Sequence, residues 1–210
     1  MRYVIAGSKV NFATRRTIAI AFCAFWFASL VLPSFANASF TASFQPCDLP
    51  FVASGSTGVL ARCQVEFAGR PGIVELVGRP PDQLREAVFR NQDGHTVQRI
   101  VTSARPFIDP ENVSIIVRDM NFDGMPDFGL RDFAVNGANE PWKFWLWDAL
   151  RRQFVYHEVL SRLPNPEVSK TSKVVRSHVI DAGNNVTTNT YIWRRGELLL
   201  RDTAREPARK

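Results

Sequence analysis

The chain is poor in the residues on which most enzymatic chemistry depends. It has three histidines and three cysteines, and no glycine-rich phosphate loop. His95, His157 and His178 stand in no metal-ligand spacing and in no recognisable nucleophile motif. Nucleophilic catalysis needs a base held beside a Ser, Cys or Thr, so the sequence is expected to belong to a binding protein rather than an enzyme. No block recurs at a fixed period, and no low-complexity linker divides the chain. A repeat array and a two-domain layout are both excluded by that reading. Long apolar runs are scarce too. The one run of note, Thr17 to Leu32, falls short of the roughly 20 residues a spanning helix needs.

That run has another reading. Arg2, Lys9, Arg15 and Arg16 precede it with no acidic residue, Pro33 breaks it, and Ala36-Asn37-Ala38 supplies a small-x-small cleavage pattern. Residues 1–38 therefore read as a secretory signal peptide, with a retained N-terminal anchor as the competing reading. Without them the 26 Lys+Arg become 22 against 20 Asp+Glu, a formal +2 instead of +6. The basic residues left are scattered, not gathered in the stripe a nucleic-acid domain shows. A periplasmic or secreted protein is expected, with no nucleic-acid partner and no membrane attachment once the signal is removed.

An oxidising compartment gives the remaining cysteines, Cys47 and Cys63, a simple use as a disulfide. Neither has a nearby His or second Cys that would favour a metal. Closing a loop of about 16 residues contributes about 3 kcal/mol in the chain-entropy model. The pair is expected to tie the N-terminal segment to the first strand.

The rest alternates in short strands punctuated by turns, which is the all-β pattern. Strands are expected at 58–67, 73–77, 86–90, 96–102, 115–118, 128–131, 142–147, 154–157, 174–181, 187–194 and 197–202. A short helix is expected over 158–163. The domain so defined covers 39–202, and a polar tail, 203–210, is expected to fray. In 142–147, Trp142, Phe144 and Leu146 share one face, and Lys143, Trp145 and Trp147 the other. Core packing absorbs both faces if the sheet is covered on both sides; an exposed indole pair would instead suit sugar or protein contact.

Asp119-Met-Asn-Phe-Asp-Gly-Met-Pro-Asp127 is the most distinctive stretch. Asp119, Asn121, Asp123 and Asp127 occupy relative positions 1, 3, 5 and 9, and Gly124 position 6. So begins an EF-hand-type calcium loop, in which alternate oxygen side chains converge on a hard cation and glycine permits the sharp turn. A backbone carbonyl near Met125 would add a ligand. The bidentate Glu at position 12 is missing, since Leu130 stands there, and the flanks read as strand. A helix-loop-helix hand is therefore excluded. A turn rich in Asp, Asn and Gly that binds nothing is the competing reading.

The order of motifs resembles a known family. Gln98-Arg-Ile, the loop 119–128, Phe-Trp-Leu-Trp-Asp (144–148), Gln-Phe-Val (153–155), Leu160-Ser-Arg-Leu-Pro-Asn-Pro-Glu167, Lys173-Val-Val-Arg-Ser177 and Tyr-Ile-Trp-Arg-Arg-Gly-Glu-Leu (191–198) follow one another. The whole, over about residues 85–200, is similar to secreted bacterial proteins with a single FG-GAP- or VCBS-like calcium loop. Some members are periplasmic immunity proteins that inhibit lysozyme-like effectors of type IV secretion killing systems. The resemblance implies a compact, β-rich, propeller-like domain with structural Ca2+ held by Asp119, Asn121, Asp123, Asp127 and the Met125 carbonyl. It implies a protein partner, a lysozyme-like muramidase. Several kinds of periplasmic lysozyme inhibitor insert a Tyr-x4-Gly loop into the muramidase cleft, and Tyr191 to Gly196 has that spacing. A packed strand leading into a turn is the competing reading, and the companion Ser-Gly-x-Tyr motif is absent, because Ser54-Gly55 has no tyrosine near it. The rival from another class is a secreted glycan-binding module or hydrolase using the acidic loop and the Trp-rich strand. A structural envelope protein is a third possibility.

Overall fold

The structure is a computed structural model, and it describes residues 47–80, 83–106, 108–109, 112–133 and 138–207. The signal-peptide reading of 1–38 falls outside them. Among the described residues the fold is nearly all-β: three antiparallel sheets, a two-stranded ribbon and one short helix.

Sheet 1 runs β1 (Cys47–Asp48), β2 (Gly58–Phe67), β3 (Arg70–Arg79), β4 (Gln83–Asn91) and β5 (Thr96–Val101), each paired to the next. Cys47 lies opposite Cys63 in register, and the two are joined as a disulfide. The ribbon of β6 (Ile108–Asp109) and β7 (Asn112–Val113) leads to sheet 2. Sheet 2 contains β8 (Ile115–Arg118), β9 (Asp127–Arg131), β10 (Trp142–Asp148) and β11 (Gln153–Tyr156) in that order. After helix α1 (Glu158–Ser161), sheet 3 contains β12 (Pro166–Ser169), β13 (Val174–Ile180), β14 (Val186–Arg194) and β15 (Glu197–Glu206).

Each sheet is thus a meander of consecutive strands, as propeller blades are. This repetition is invisible in the sequence because a blade constrains only alternation and turns, not residue identity. Two of the connections that lie wholly among the described residues are two-residue turns. Ala68 and Gly69 join β2 to β3, and Arg195 and Gly196 join β14 to β15, all four at positive φ. Such turns follow the right-handed twist of the strands they join.

Sheet 2 is covered on both sides, and β10 shows why its aromatic run is unbroken. Trp145 and Trp147 join the first core with Ala61, Val74, Phe89 and other inward residues of sheet 1. Trp142 and Phe144 face the second core, with Leu160, Leu163, Val175 and Leu198. These four β10 aromatics are at most 6% exposed. Each contributes about 2–3 kcal/mol through the apolar area it removes from water. Gly129 makes room on β9: a Cβ there would stand 2.6 Å from the Phe144 ring. The strand therefore presents no exposed indole pair, which corrects the Trp-platform alternative.

Further differences from expectation have plain causes. The helix is a single turn: His157 caps it, with Nδ1 accepting from the Leu160 N–H at 3.1 Å. His157 is thereby a helix cap, not a strand residue. Pro166, which reads as a stop in the sequence, opens strand β12. Proline is tolerated here as the first residue of an edge strand. The tail expected to fray from Thr203 instead continues β15 to Glu206, paired with Val186; residues 208–210 lie outside the described residues.

Candidate functional site: the acidic loop and its clasp

Strands β8 and β9 pair up to Arg118 and Asp127, and the chain between them forms the acidic loop. Asp127 is wholly buried. Its Oδ2 accepts the Met120 N–H at 2.7 Å and its Oδ1 the Trp147 N–H at 2.8 Å. One carboxylate thus fastens the start of the loop to the end of β10. Burial pushes its proton affinity up to about 7; the two N–H donors oppose that, and the charges of Asp123 and Asp119 add to it.

The remaining loop groups bond among themselves. Asp119 Oδ2 accepts from Gly124 N at 3.0 Å, Asn121 Oδ1 from Asp123 N at 3.1 Å, and Asp123 Oδ1 from Met125 N at 2.8 Å. The Asn121 amide donates to Asp123 Oδ2 at 2.8 Å. Gly124, at φ +90, makes the turn that a side chain would strain. Met125 packs against the first core and Met120 within the second, so the loop straddles both.

Two features of the loop suit the expected cation. Asp119 Oδ1 is buried without a hydrogen-bond partner, and the charges of Asp119 and Asp123 bear on Asp127. Both conditions are relieved by a hard cation. Against this, no group of three or more His, Cys, Asp or Glu able to hold a metal ion stands together among the described residues. Residues that could hold Ca2+ are Asp119 through Oδ1, Asn121, Asp123 and Asp127, with the Met125 carbonyl. Asp132, just beyond the loop, is engaged elsewhere: it accepts from Arg105 N at 3.2 Å and pairs with Lys143 at 3.6 Å.

Sheet 3 is fastened to this loop. The Trp193 indole N–H donates to the Met120 carbonyl at 2.8 Å, and the His157 ring stands edge-on to the indole at 5.1 Å. Trp193 alternates with Tyr191, so the strand period already placed the two on one face; the acceptor could not be read. Tyr191 lies opposite Val175 and Leu200 and packs against the second core, and burial raises its hydroxyl pKa. Gly196 closes the turn. What the hairpin presents at its tip is Arg194 and Arg195, both exposed.

Two further clasps were not foreseen. Gln98 acts as a piece of strand between sheets 1 and 2, donating to Phe154 O at 2.8 Å and accepting from Phe154 N at 2.7 Å. Asn139 bonds Ile180 N and O, each at 2.8 Å, and so binds sheet 3 to the connection before β10. The histidines do not converge. His95 is exposed in the β4–β5 turn, and His178 contacts Thr188 at 3.0 Å and Glu167 at 3.2 Å. No described helix is long and apolar enough to cross a membrane.

The fold and site define a nearly all-β, disulfide-bonded protein with an internally braced acidic loop. No family model matches the chain, and no curated protein matches it either. A solved structure described as a Xanthomonas type IV secretion system related protein is similar to it at 19% identity and a TM-score of 0.41, covering 78% of this chain and 75% of that one. At that identity and superposition the likeness carries no functional information.

Proposed function

We propose that the protein is a calcium-stabilised, extracytoplasmic protein-interaction domain that inhibits a lysozyme-like peptidoglycan hydrolase, in the manner of an immunity protein. The observation that carries this reading is the Trp193–Met120 hydrogen bond. It fastens the hairpin containing Tyr191 and Gly196 to the acidic loop, so that ordering the loop stiffens the hairpin. A stiff hairpin enters a substrate cleft with little entropy left to lose. The Cys47–Cys63 disulfide accords with an oxidising compartment. Ca2+ would be structural, neutralising clustered carboxylates and adding stability by mass action. Inhibition would be steric, with no chemistry by this chain.

The test is lysis by a panel of muramidases with the protein added, in calcium and then in chelator, beside the Trp193→Phe variant. Inhibition that weakens in chelator and in Trp193→Phe is expected. If no muramidase is inhibited while the protein is folded and calcium-loaded, the reading is wrong.

A further inference from the structure

The hairpin turns of two sheets meet over a cleft of about 230 Å³. The β2–β3 turn contributes Phe67 and Arg70, the β4–β5 turn Asp93 and Val97, and the end of β10 with its turn Trp147 and Arg152. Phe67 and Trp147 are 5% and 6% exposed, so they form a floor whose atoms are otherwise packed in the first core. Their rings stand 6.2 Å apart and are themselves held against Phe154, at 6.2 and 5.0 Å. A floor so braced does not collapse into the space above it.

The rim is charged, and its cations are free. Arg70 and Arg152 are exposed, and neither guanidinium makes a hydrogen bond or ion pair with a described residue. Elsewhere in the molecule guanidinium groups find carboxylates readily, as Arg62 and Arg90 do at Glu75. The one acid at the rim, Asp93, accepts from the Asn91 amide at 3.3 Å. The Trp147 indole N–H also has no acceptor, yet is not among the atoms sealed from solvent. It is a further unused donor on a residue of the floor.

We propose that this cleft binds a carboxylate carried on a flat apolar body about the size of one aromatic residue. Guanidinium groups match carboxylate geometry and give charge-assisted hydrogen bonds, while the aromatic floor takes the apolar body. A braced apolar floor with a few convergent polar groups is the usual anatomy of a small-ligand site. The chemistry is shared by a free organic acid and by the last residue of a polypeptide.

The test is a nitrogen-15 NMR titration of the protein with N-acetylphenylalanine, its amide, and a short peptide ending in a free phenylalanine carboxylate. Saturable shifts of the Trp147 indole and of the Arg70 and Arg152 amides are expected with the acid. The neutral amide should bind about ten-fold more weakly, as loss of one charge-assisted contact implies. The Arg70→Gln/Arg152→Gln protein should show the same loss. Arg194→Gln/Arg195→Gln, which removes equal charge at another turn, should bind as the parent does. Tighter binding of the peptide than of the free acid would assign the site to a protein C-terminus, and equal binding to a small acid. Absence of saturation, equal binding of acid and amide, or equal loss in both double variants would overturn the proposal.

Discussion

Acidifying the protein in chelator from about pH 8 to about pH 5 is expected to stabilise it through Asp127. The ordinary value for this carboxyl is 3.8, and in the fold burial raises it to about 7. Between those values the folded state holds a proton that the unfolded state has lost, so stability falls as pH rises through the interval and levels off above about 7. Integrated between about pH 8 and about pH 5, the linkage amounts to about 2–3 kcal/mol. For a domain of this size that is about 5–10 °C in melting temperature. Burial lowers the pKa of His157, and a histidine kept neutral in the fold loses stability as pH falls below its ordinary value of 6.5. The two effects oppose each other, so the readout is a difference between the parent and Asp127→Asn. The variant gives up one acceptor for a backbone N–H and has lower stability overall, but it carries no titrating group at that position. The parent profile should therefore rise toward acid relative to the variant. Saturating calcium should flatten the parent, because a bound cation keeps the carboxylates ionised. Parallel profiles for parent and variant, followed by thermal unfolding in chelator, would refute the linkage.

Other perturbations act on the clasps. Glu75, 6% exposed, is held by Arg62 at 2.8 Å and Arg90 at 2.7 Å. Burial works against its ionised form, and the two guanidiniums outweigh it and lower its pKa. Glu75→Ala takes the shared carboxylate from two guanidiniums and should destabilise by about 2 kcal/mol in urea unfolding; acid should weaken the parent as pH falls below the ordinary carboxylate range, because the lowered pKa makes the ionised form the favoured one in the fold. Gln98→Ala strands the Phe154 N–H and C=O and should lower stability by about 2 kcal/mol, with hydrogen exchange at Phe154 accelerated. Reduction of Cys47–Cys63, or Cys63→Ser, should lower the melting temperature by the equivalent of about 3 kcal/mol, and an unchanged transition would show that β1 does not constrain the unfolded chain.

Strand positions were legible wherever one physical rule acted locally. The alternation of Val59 to Phe67 gave β2 at its observed bounds, and Pro80-Pro81 marked the end of β3. The spacing of Asp119, Asn121, Asp123 and Gly124 marked a turn between two strands, because such turns close within a few residues. Asp127 reads as a loop residue but opens β9, and the stronger fact about it was hidden: Trp147, whose N–H it binds, lies 20 residues away. The end of β15 was misjudged because a polar strand with few apolar residues looks like a tail until its partner, β14, is known.

The amino-acid sequence by itself determined the alternating strands, the turns between them, the cysteine pair and the acidic spacing, since each depends on neighbours along the chain. Only the tertiary structure decided that β10 divides two cores, that Trp193 clasps the acidic loop, and that Arg70 and Arg152, far apart in sequence, share a cleft. The reason is that these depend on how one sheet faces another. Alternation fixes which side a residue takes, and only packing fixes what stands opposite it.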